Sequence, residues 1–546
     1  MNAAQSWRVA LFVSSIAAIV IVTPLIFFGN ATGHDFQSHV ASWMEIAAQW
    51  RQGIIFPRWA EWSNWGLGEP RFIFYPPGSW VFGAALGSVL PWSVVPGALI
   101  FLAVITAGMA MWTLARLWLT EVQAYAAAVI FAANPYHLVM IYYRSDFAEL
   151  LASALFPLMV FGAFAAPRTE RRRLPILIMI VAGIWLLNAP AGVIATYSLA
   201  VILLFVCIFH RSLRPLIFGA TGLAGGLAVA AFYVLPAAWE QRWIQIAGAF
   251  QGRFIAERNL LFSQIDYPTR PEIQWFNWKV SGVAVGVIVL TAIASFCSRR
   301  YARLWPERWW LMFLLAGVSS FLMIPPSSFL WRHLPRLRAV QFPWRWLMPL
   351  DFVLAFLAAA AISKIKASWI FIIMLGLIVT AAAIVRDTHW DSRIVPFVAQ
   401  QIQSEHGYRG IPGFLPINAH VGEQYDNRPQ IAAWEPGDNS VESPELKIEK
   451  WTAEQKVFLA NAAKPVTLVL HLLAYPAWEV QIDGESRSID FDPATGQILV
   501  PLEKGSHRIE VRFRRTWDRL AGGVISIISI VGLIFILVYD RRKRVI

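Results

Sequence analysis

Cysteine is nearly absent from this chain of 546 residues. Cys207 and Cys297 both fall in apolar runs and form no CxxC pair, which excludes a disulfide framework and a cysteine-based metal site. Charge is scarce as well. Only 15% of residues are charged, against roughly a quarter in soluble domains, while 57% are hydrophobic. That balance excludes a soluble enzyme and indicates an integral membrane protein. The first apolar run, Leu11–Phe28, has no A-x-A cleavage site and is longer than a signal-peptide core, so it reads as a retained helix.

What is present fits the same class. The 27 Trp and 36 Phe suit a protein with much surface at the level of lipid headgroups. The net charge of +12 would suit a nucleic-acid binder, but the basic residues sit in short loops between apolar runs, so no nucleic acid is expected as a partner. Membrane lipids are.

A helix needs roughly 20 apolar residues to cross a bilayer. Candidates lie at 8–29, 95–118, 122–138, 148–166, 174–188, 190–209, 215–237, 280–298, 309–324, 345–363, 367–385 and 519–539, which makes about twelve crossings. The stretch 78–92 reads either as a short interfacial helix or as a thirteenth. With both termini cytoplasmic, twelve crossings put Arg116, Arg168 with Arg171–Arg173, Arg211, Arg214, Arg299, Arg300, Arg303, Arg308, Lys364, Lys366 and the tail Arg541–Arg544 on one side, as the positive-inside rule requires. The opposite face then receives 30–77, 139–147, 238–279, 325–344 and 386–518. From about 445 apolar and polar residues alternate (VTLVLHL, WEVQIDG, QILVPL, HRIEVRF) between turn signals such as Asp483-Gly484 and Thr495-Gly496, the pattern of a small β-sandwich. The expected organisation is a polytopic all-α membrane domain over 1–385 with a first extracytoplasmic loop at 30–77, a linker over 386–444, a β-sandwich over 445–517 tethered by the last helix, and that helix with its basic tail over 518–546.

The first loop opens with GHDFQSHVASW. Thr32-x-x-Asp35 matches a capping box, and Asp35, His39, Ser42 and Ile46 would share a helical face. Asp35 is thus either a helix cap or a catalytic base, and the two roles are compatible. His34 and His39 beside Asp35 do not form a strong metal-ligand spacing. The loop continues FPRWAEWSNWGLGEPRFIFYPPG, an irregular path that must be buried in protein or line a wet cavity if it lies near the membrane. Its polar members are Arg58, Glu61, Glu69, Arg71 and Tyr75, which either pair with one another or face substrate. In NPYHLVMIYYRSDFAELLA, Asp146 and Glu149 suit a helix N-terminus, whereas Arg144 does not unless an anion lies nearby, a carboxylate of the protein or a bound phosphate. Glu240 and Arg242 follow an apolar helix, and Arg332, His333, Arg336, Arg338 and Arg345 form a cationic stretch against the general charge bias. Lipid-linked phosphate is the partner such cations suit, although interfacial arginines also snorkel to headgroups.

The chain resembles a known family. Asp35-x-x-x-His39, Pro57-Arg58-Trp59, Gly66-Leu67-Gly68-Glu69-Pro70 and Phe74-Tyr75-Pro76-Pro77 follow its first-loop pattern. Asn134-Pro135-Tyr136-His137, Arg144 with Asp146 to Glu149, Tyr233-Val234-Leu235-Pro236 with Glu240, and Gln341-Phe342-Pro343-Trp344-Arg345-Trp346 resemble its later motifs. Tyr475-Pro476-Ala477-Trp478, Asp483-Gly484, Thr495-Gly496 and Gly505-Ser506-His507 resemble its tail. These are the bacterial membrane proteins labelled pyruvoyl-tetrahydropterin-synthase-related, relatives of YfhO-type proteins and similar to GT-C glycosyltransferases. Nothing in the chain corresponds to pterin chemistry. The family's Leu-Thr-His is replaced by Leu187-Asn188-Ala189-Pro190, so that histidine's role does not carry over.

The resemblance implies a GT-C-like bundle in a bacterial inner membrane and a donor sugar on polyprenyl phosphate. It also implies an acid in the first loop, here Asp35, as general base for an inverting displacement. The acceptor is unknown. Asp35, His39, Asp146 and Glu149 are the candidate catalytic residues, and Arg58, Arg71, Tyr75, Arg144, Glu240, Arg242 and Arg345 the candidate substrate-binding residues. Arg144, Arg242 and Arg345 are the expected stabilisers of the departing phosphate, and no metal or cofactor is expected. The alternatives are a lipid-linked sugar transporter or flippase, which would show paired broken helices, and a non-catalytic scaffold of a cell-envelope polysaccharide system.

Overall fold

The computed structural model describes residues 3–164, 170–264, 271–362, 367–422, 428–434 and 444–542. Arg168, Lys364, Lys366, Lys543 and Arg544, all counted in the charge bias, lie outside the described residues.

The protein is a multi-pass membrane protein. Among the described residues seven helices are long and apolar enough to cross a bilayer: Ala4–Phe28, Val95–Ala115, Glu121–Arg144, Ala189–His210, Glu272–Cys297, Pro343–Ala361 and Trp517–Val538. Two more spans arise if bent pairs are joined, Arg214–Val229 with Ala231–Trp243 at 76° and Pro306–Met323 with Pro325–His333 at 89°. Phe147–Ala163 is a shorter apolar pair of helices, and Arg173–Leu187 and Met374–Arg386 are the described apolar parts of helices Glu170–Leu187 and Ala367–Arg386. Among the described residues each of the twelve predicted runs is mainly helical, and seven to nine spans are long and apolar enough for a full crossing. The uncertain stretch forms an 11-residue helix, Pro77–Gly87, too short to span a bilayer. Pro343–Ala361 is buried along its whole length and forms the centre of the bundle, whereas Trp517–Val538 keeps most of its apolar surface exposed, as a lipid-facing helix must.

The C-terminal region is a two-sheet β-sandwich. The strands are β1 (Ile431–Trp434), β2 (Glu445–Thr452), β3 (Gln455–Ala462), β4 (Val466–Leu473), β5 (Trp478–Ile482), β6 (Glu485–Arg487), β7 (Asp490–Phe491), β8 (Gln497–Leu502) and β9 (Gly505–Phe513). They pair antiparallel in the orders β1-β4-β8-β7 and β2-β3-β9-β5-β6. The alternation in the sequence sets the inner faces, where Phe458, Leu468, Leu470, Ile498, Val500, Ile509 and Val511 are all fully buried. β1 comes from within the 386–444 stretch.

The sandwich does not hang from the last helix alone. Its core continues into Trp59, Leu67 and Ile73 of the first loop. Leu473 N–H donates to Leu67 C=O at 3.1 Å, Arg58 pairs with Glu454 at 3.3 Å and Lys456 with Glu61 at 3.7 Å. The proline- and glycine-rich loop is thus buried in protein, under the sandwich. The sequence could not show this because the partners lie hundreds of residues apart.

Candidate active site

Helix Phe36–Arg51 starts at Asp35, but the Asp35 side chain makes no capping bond. The expected capping box is not formed, since Thr32 Oγ donates to His389 C=O at 3.3 Å. The Asp35 carboxylate turns instead to Arg144, whose Nε donates to Oδ2 at 2.9 Å and whose Nη also reaches Oδ2. Gly33 makes this approach possible. A Cβ there would lie 2.4 Å from the Arg144 carbonyl carbon. Gly33 N–H donates to Ser145 Oγ at 3.0 Å, and Asp35 N–H to Arg144 C=O at 2.9 Å.

The 139–147 turn is irregular for a reason. Val139–Arg144 is a π-helical turn, and Ser145 follows in the left-handed region at φ 52°. Such widened turns recur at functional sites. This one directs Arg144 to Asp35, while Asp146 caps Phe147–Ala154 by accepting from Glu149 N–H at 3.0 Å. The bland reading of Asp146 as a cap is realised, and it has further neighbours. Asp146 lies 3.7 Å from Arg144, 3.6 Å from Arg345 and 3.6 Å from His39 Nε2. Arg345 Nε donates to Glu149 at 2.8 Å. His39 Nε2 lies 3.4 Å from the Tyr75 hydroxyl.

Seven of the sequence-predicted site residues therefore meet in one cluster: Asp35, His39, Tyr75, Arg144, Asp146, Glu149 and Arg345. Three carboxylates face two guanidiniums, which answers why Arg144 stands at a helix N-terminus. The anion is carboxylate of the protein itself. Arg144 and Arg345 are already bonded to acids and their side chains are only 7% and 5% exposed, so neither presents an open face to a departing phosphate. Asp35 is the accessible carboxylate of the cluster, with 34% of its side chain exposed.

The remaining four lie elsewhere. Arg58 is bound to Glu454 of the sandwich. Arg71 is buried between Glu69 at 2.7 Å, Ser42, Ser63 and Tyr408. Glu240 accepts from Arg519 at 2.6 and 2.7 Å and from the Tyr475 hydroxyl at 2.6 Å, clasping the last helix to the sandwich. Arg242 stacks over Trp239, 3.9 Å from the ring centroid.

Sequence reasoning missed three features. The Tyr136 hydroxyl bonds to Glu149, and the Tyr136 N–H donates to Asp351 at 2.9 Å. A lone acid inside the apolar run 345–363 was the available signal for Asp351. An aromatic wall also stands beside Arg144: Phe342 and Trp344 stack at 5.5 Å, Phe276 meets Trp344 edge-on at 6.1 Å, and Arg144 lies 5.2 Å from the Phe342 centroid. Gln341 precedes the wall at φ 62° in a tight turn closed by Phe342 N–H to Val340 C=O at 2.7 Å. No group of three His, Cys, Asp or Glu placed to hold a metal occurs among the described residues.

No family model matches the chain, and no curated protein matches it. Among solved structures it is similar to the mycobacterial arabinofuranosyltransferase AftD, at 16% identity and a TM-score of 0.43, over 76% of this chain and 28% of that one. The chain thus spans less than a third of that protein's length, and a likeness of this size bears on neither activity nor substrate.

Proposed function

We propose that the chain is a GT-C-type membrane glycosyltransferase that moves a sugar from a polyprenyl-phosphate donor to an acceptor hydroxyl on the extracytoplasmic side. One observation carries the reading. Asp35 is an accessible carboxylate at the edge of an otherwise buried charge cluster, next to an aromatic wall and where the chain leaves an apolar helix. Arg144 holds Oδ2 through two N–H groups, which fixes the carboxylate and leaves Oδ1 for an incoming proton. The acceptor O–H gives its proton to Asp35. Its oxygen bonds to the anomeric carbon as the bond to the phosphate oxygen breaks, and polyprenyl phosphate leaves with the electron pair. One displacement inverts the anomeric centre. Asp146, Glu149, His39 and Tyr75 position Asp35 and Arg144, and the half-buried faces of Phe276 and Phe342 suit a sugar ring.

The test is release of free polyprenyl phosphate by protein in lipid, given a panel of polyprenyl-phosphate sugars with membrane-extracted glycans as acceptors. Acceptor-dependent release supports the reading, and flipping of donors without release contradicts it. Transport of a lipid-linked sugar is the second reading. It is supported by the two bent helix pairs, at 76° and 89°, the kind of broken helix that transporters use. Asp35→Asn separates the two, because it abolishes transfer but leaves transport nearly intact.

A further inference from the structure

A cavity of about 640 Å³ lies between helices Ala189–His210 and Pro306–Met323. It is walled by Tyr197 and Phe205 on one side and by Trp310, Phe313, Gly317 and Phe321 on the other, and no charged residue lines it. Trp310, Phe313 and Phe321 remain more than a third exposed, so the cavity is a groove open along the lipid-facing side of the bundle. Size and lining suit one hydrocarbon chain.

The two ends of the groove differ. One end reaches Leu330, Leu334 and Trp346. There the chain bends by 89° at Met323–Pro325, and the Tyr197 hydroxyl ties the turn down through Pro335 C=O at 2.8 Å. This end is cationic. Arg332, Arg336 and Arg338 are exposed around it, and Glu257 pairs with both Arg332 and Arg338 at 3.3 and 2.9 Å, leaving two positive charges in excess. Trp346 is 1% exposed and its indole N–H has no hydrogen-bond partner. The residue before it in the chain is Arg345, a member of the Asp35 cluster.

We infer that this groove binds the isoprenoid chain of the donor, with the phosphate at the Arg332, Arg336 and Arg338 end. The inference rests on the transferase reading for the identity of the lipid. An ordinary membrane lipid would account for the apolar walls and the cations. It would not account for a groove that ends against the segment carrying Phe342 and Arg345. The site also supplies what the cluster lacks, cations exposed to an anion, since Arg144 and Arg345 are bonded to carboxylates.

Gly317 gives a clean way to block the groove. A Cβ there meets nothing within 4 Å, so a larger side chain enters empty space without displacing the fold. Gly286 lies on another helix, is equally free of neighbours within 4 Å, and serves as the control. Binding of radiolabelled undecaprenyl phosphate is measured on the full chain in phosphatidylcholine nanodiscs. Wild type and Gly286→Phe are expected to bind saturably, and Gly317→Phe at least about tenfold more weakly. Excess phosphatidylglycerol is expected not to displace the probe. Equal binding by Gly317→Phe, displacement by phosphatidylglycerol as readily as by unlabelled probe, or no saturable binding by wild type would each overturn the inference. Binding is read without turnover. A wild-type chain that binds the probe but releases none from any glycosylated donor would therefore sink the transferase reading and leave the groove standing.

Discussion

The protein holds two buried polar networks a few residues apart on the same helix, Phe36–Arg51, and they differ in one respect. Around Asp35, acids and arginines interlock but one carboxylate stays open, at 34% exposure. Around Glu45, nothing is open. Arg71 and Glu69 are 1% and 0% exposed, Arg71 donates to Ser42, Ser63 and Tyr408, and Tyr408 donates to Glu45 at 2.8 Å. Left-handed residues occur beside both, Ser145 near the first and Asn64 and Trp65 near the second, so backbone strain does not distinguish them. Access does. A closed network fastens the first loop to the 404–411 segment, whereas an open one can meet a substrate.

The largest expected effect is at the open network. Asp35→Asn should lower polyprenyl-phosphate release by about 10² to 10⁴, the range for loss of a general base. Its unfolding midpoint should stay close to wild type, because Arg144 keeps Asp146. The closed network should respond in the opposite way. Arg71→Met leaves Glu69 buried with its ion-pair partner gone and should cost about 3–5 kcal/mol of stability, with the rate per folded molecule unchanged. Thermal unfolding and initial rates on the same preparations check both. A fall in stability for Asp35→Asn, or a fall in specific rate for Arg71→Met, would erase the distinction.

Glu45 sharpens the comparison through pH. Burial is the main cause that pushes its carboxyl up to about 7 from 4.5, and Oε2 has no hydrogen-bond partner. The folded state therefore favours the protonated acid. The stability this contributes is present in full below the unfolded pKa of about 4.5 and is lost as pH rises through about 7, a swing of order 3 kcal/mol. Glu45→Gln keeps an acceptor for Trp62 N–H and Tyr408, and should make the fall in stability between about pH 5 and pH 8 shallower than in wild type. A decline as steep as that of wild type in Glu45→Gln would assign the titration to other groups. The smallest effect belongs to an exposed pair. Arg514 lies 3.5 Å from Glu479 and is 64% exposed, and Arg514→Ala should shift stability by about 0.5 kcal/mol or less.

The membrane class and the helical runs were legible because apolar length is a strong local signal. The β-sandwich was legible because period-two alternation with turn residues is another. What stayed hidden was who meets whom. Asp35 and Arg144 are 109 residues apart, and Arg58 and Glu454 396 apart. Arg58 and Arg71 looked like substrate ligands because a loop arginine beside aromatics reads the same whether its partner is a phosphate or a distant glutamate. Thr32 looked like half of a capping box because the pattern records spacing and not the competing carbonyl of His389. The number of full crossings was not legible for a related reason. Composition marks an apolar helix, but not the bend at Met323–Pro325 or the shortness of Phe147–Ala163.

The central claim is that the open carboxylate does the chemistry and the buried acids position it. The direct measurement is the initial rate of polyprenyl-phosphate release by wild type, Asp35→Asn and Asp146→Asn, each in lipid and each shown to keep its unfolding midpoint. A loss of at least about 10² in Asp35→Asn, larger than that in Asp146→Asn, is the expected result. Wild-type release by Asp35→Asn together with loss in Asp146→Asn would contradict the claim and move the base into the buried part of the cluster.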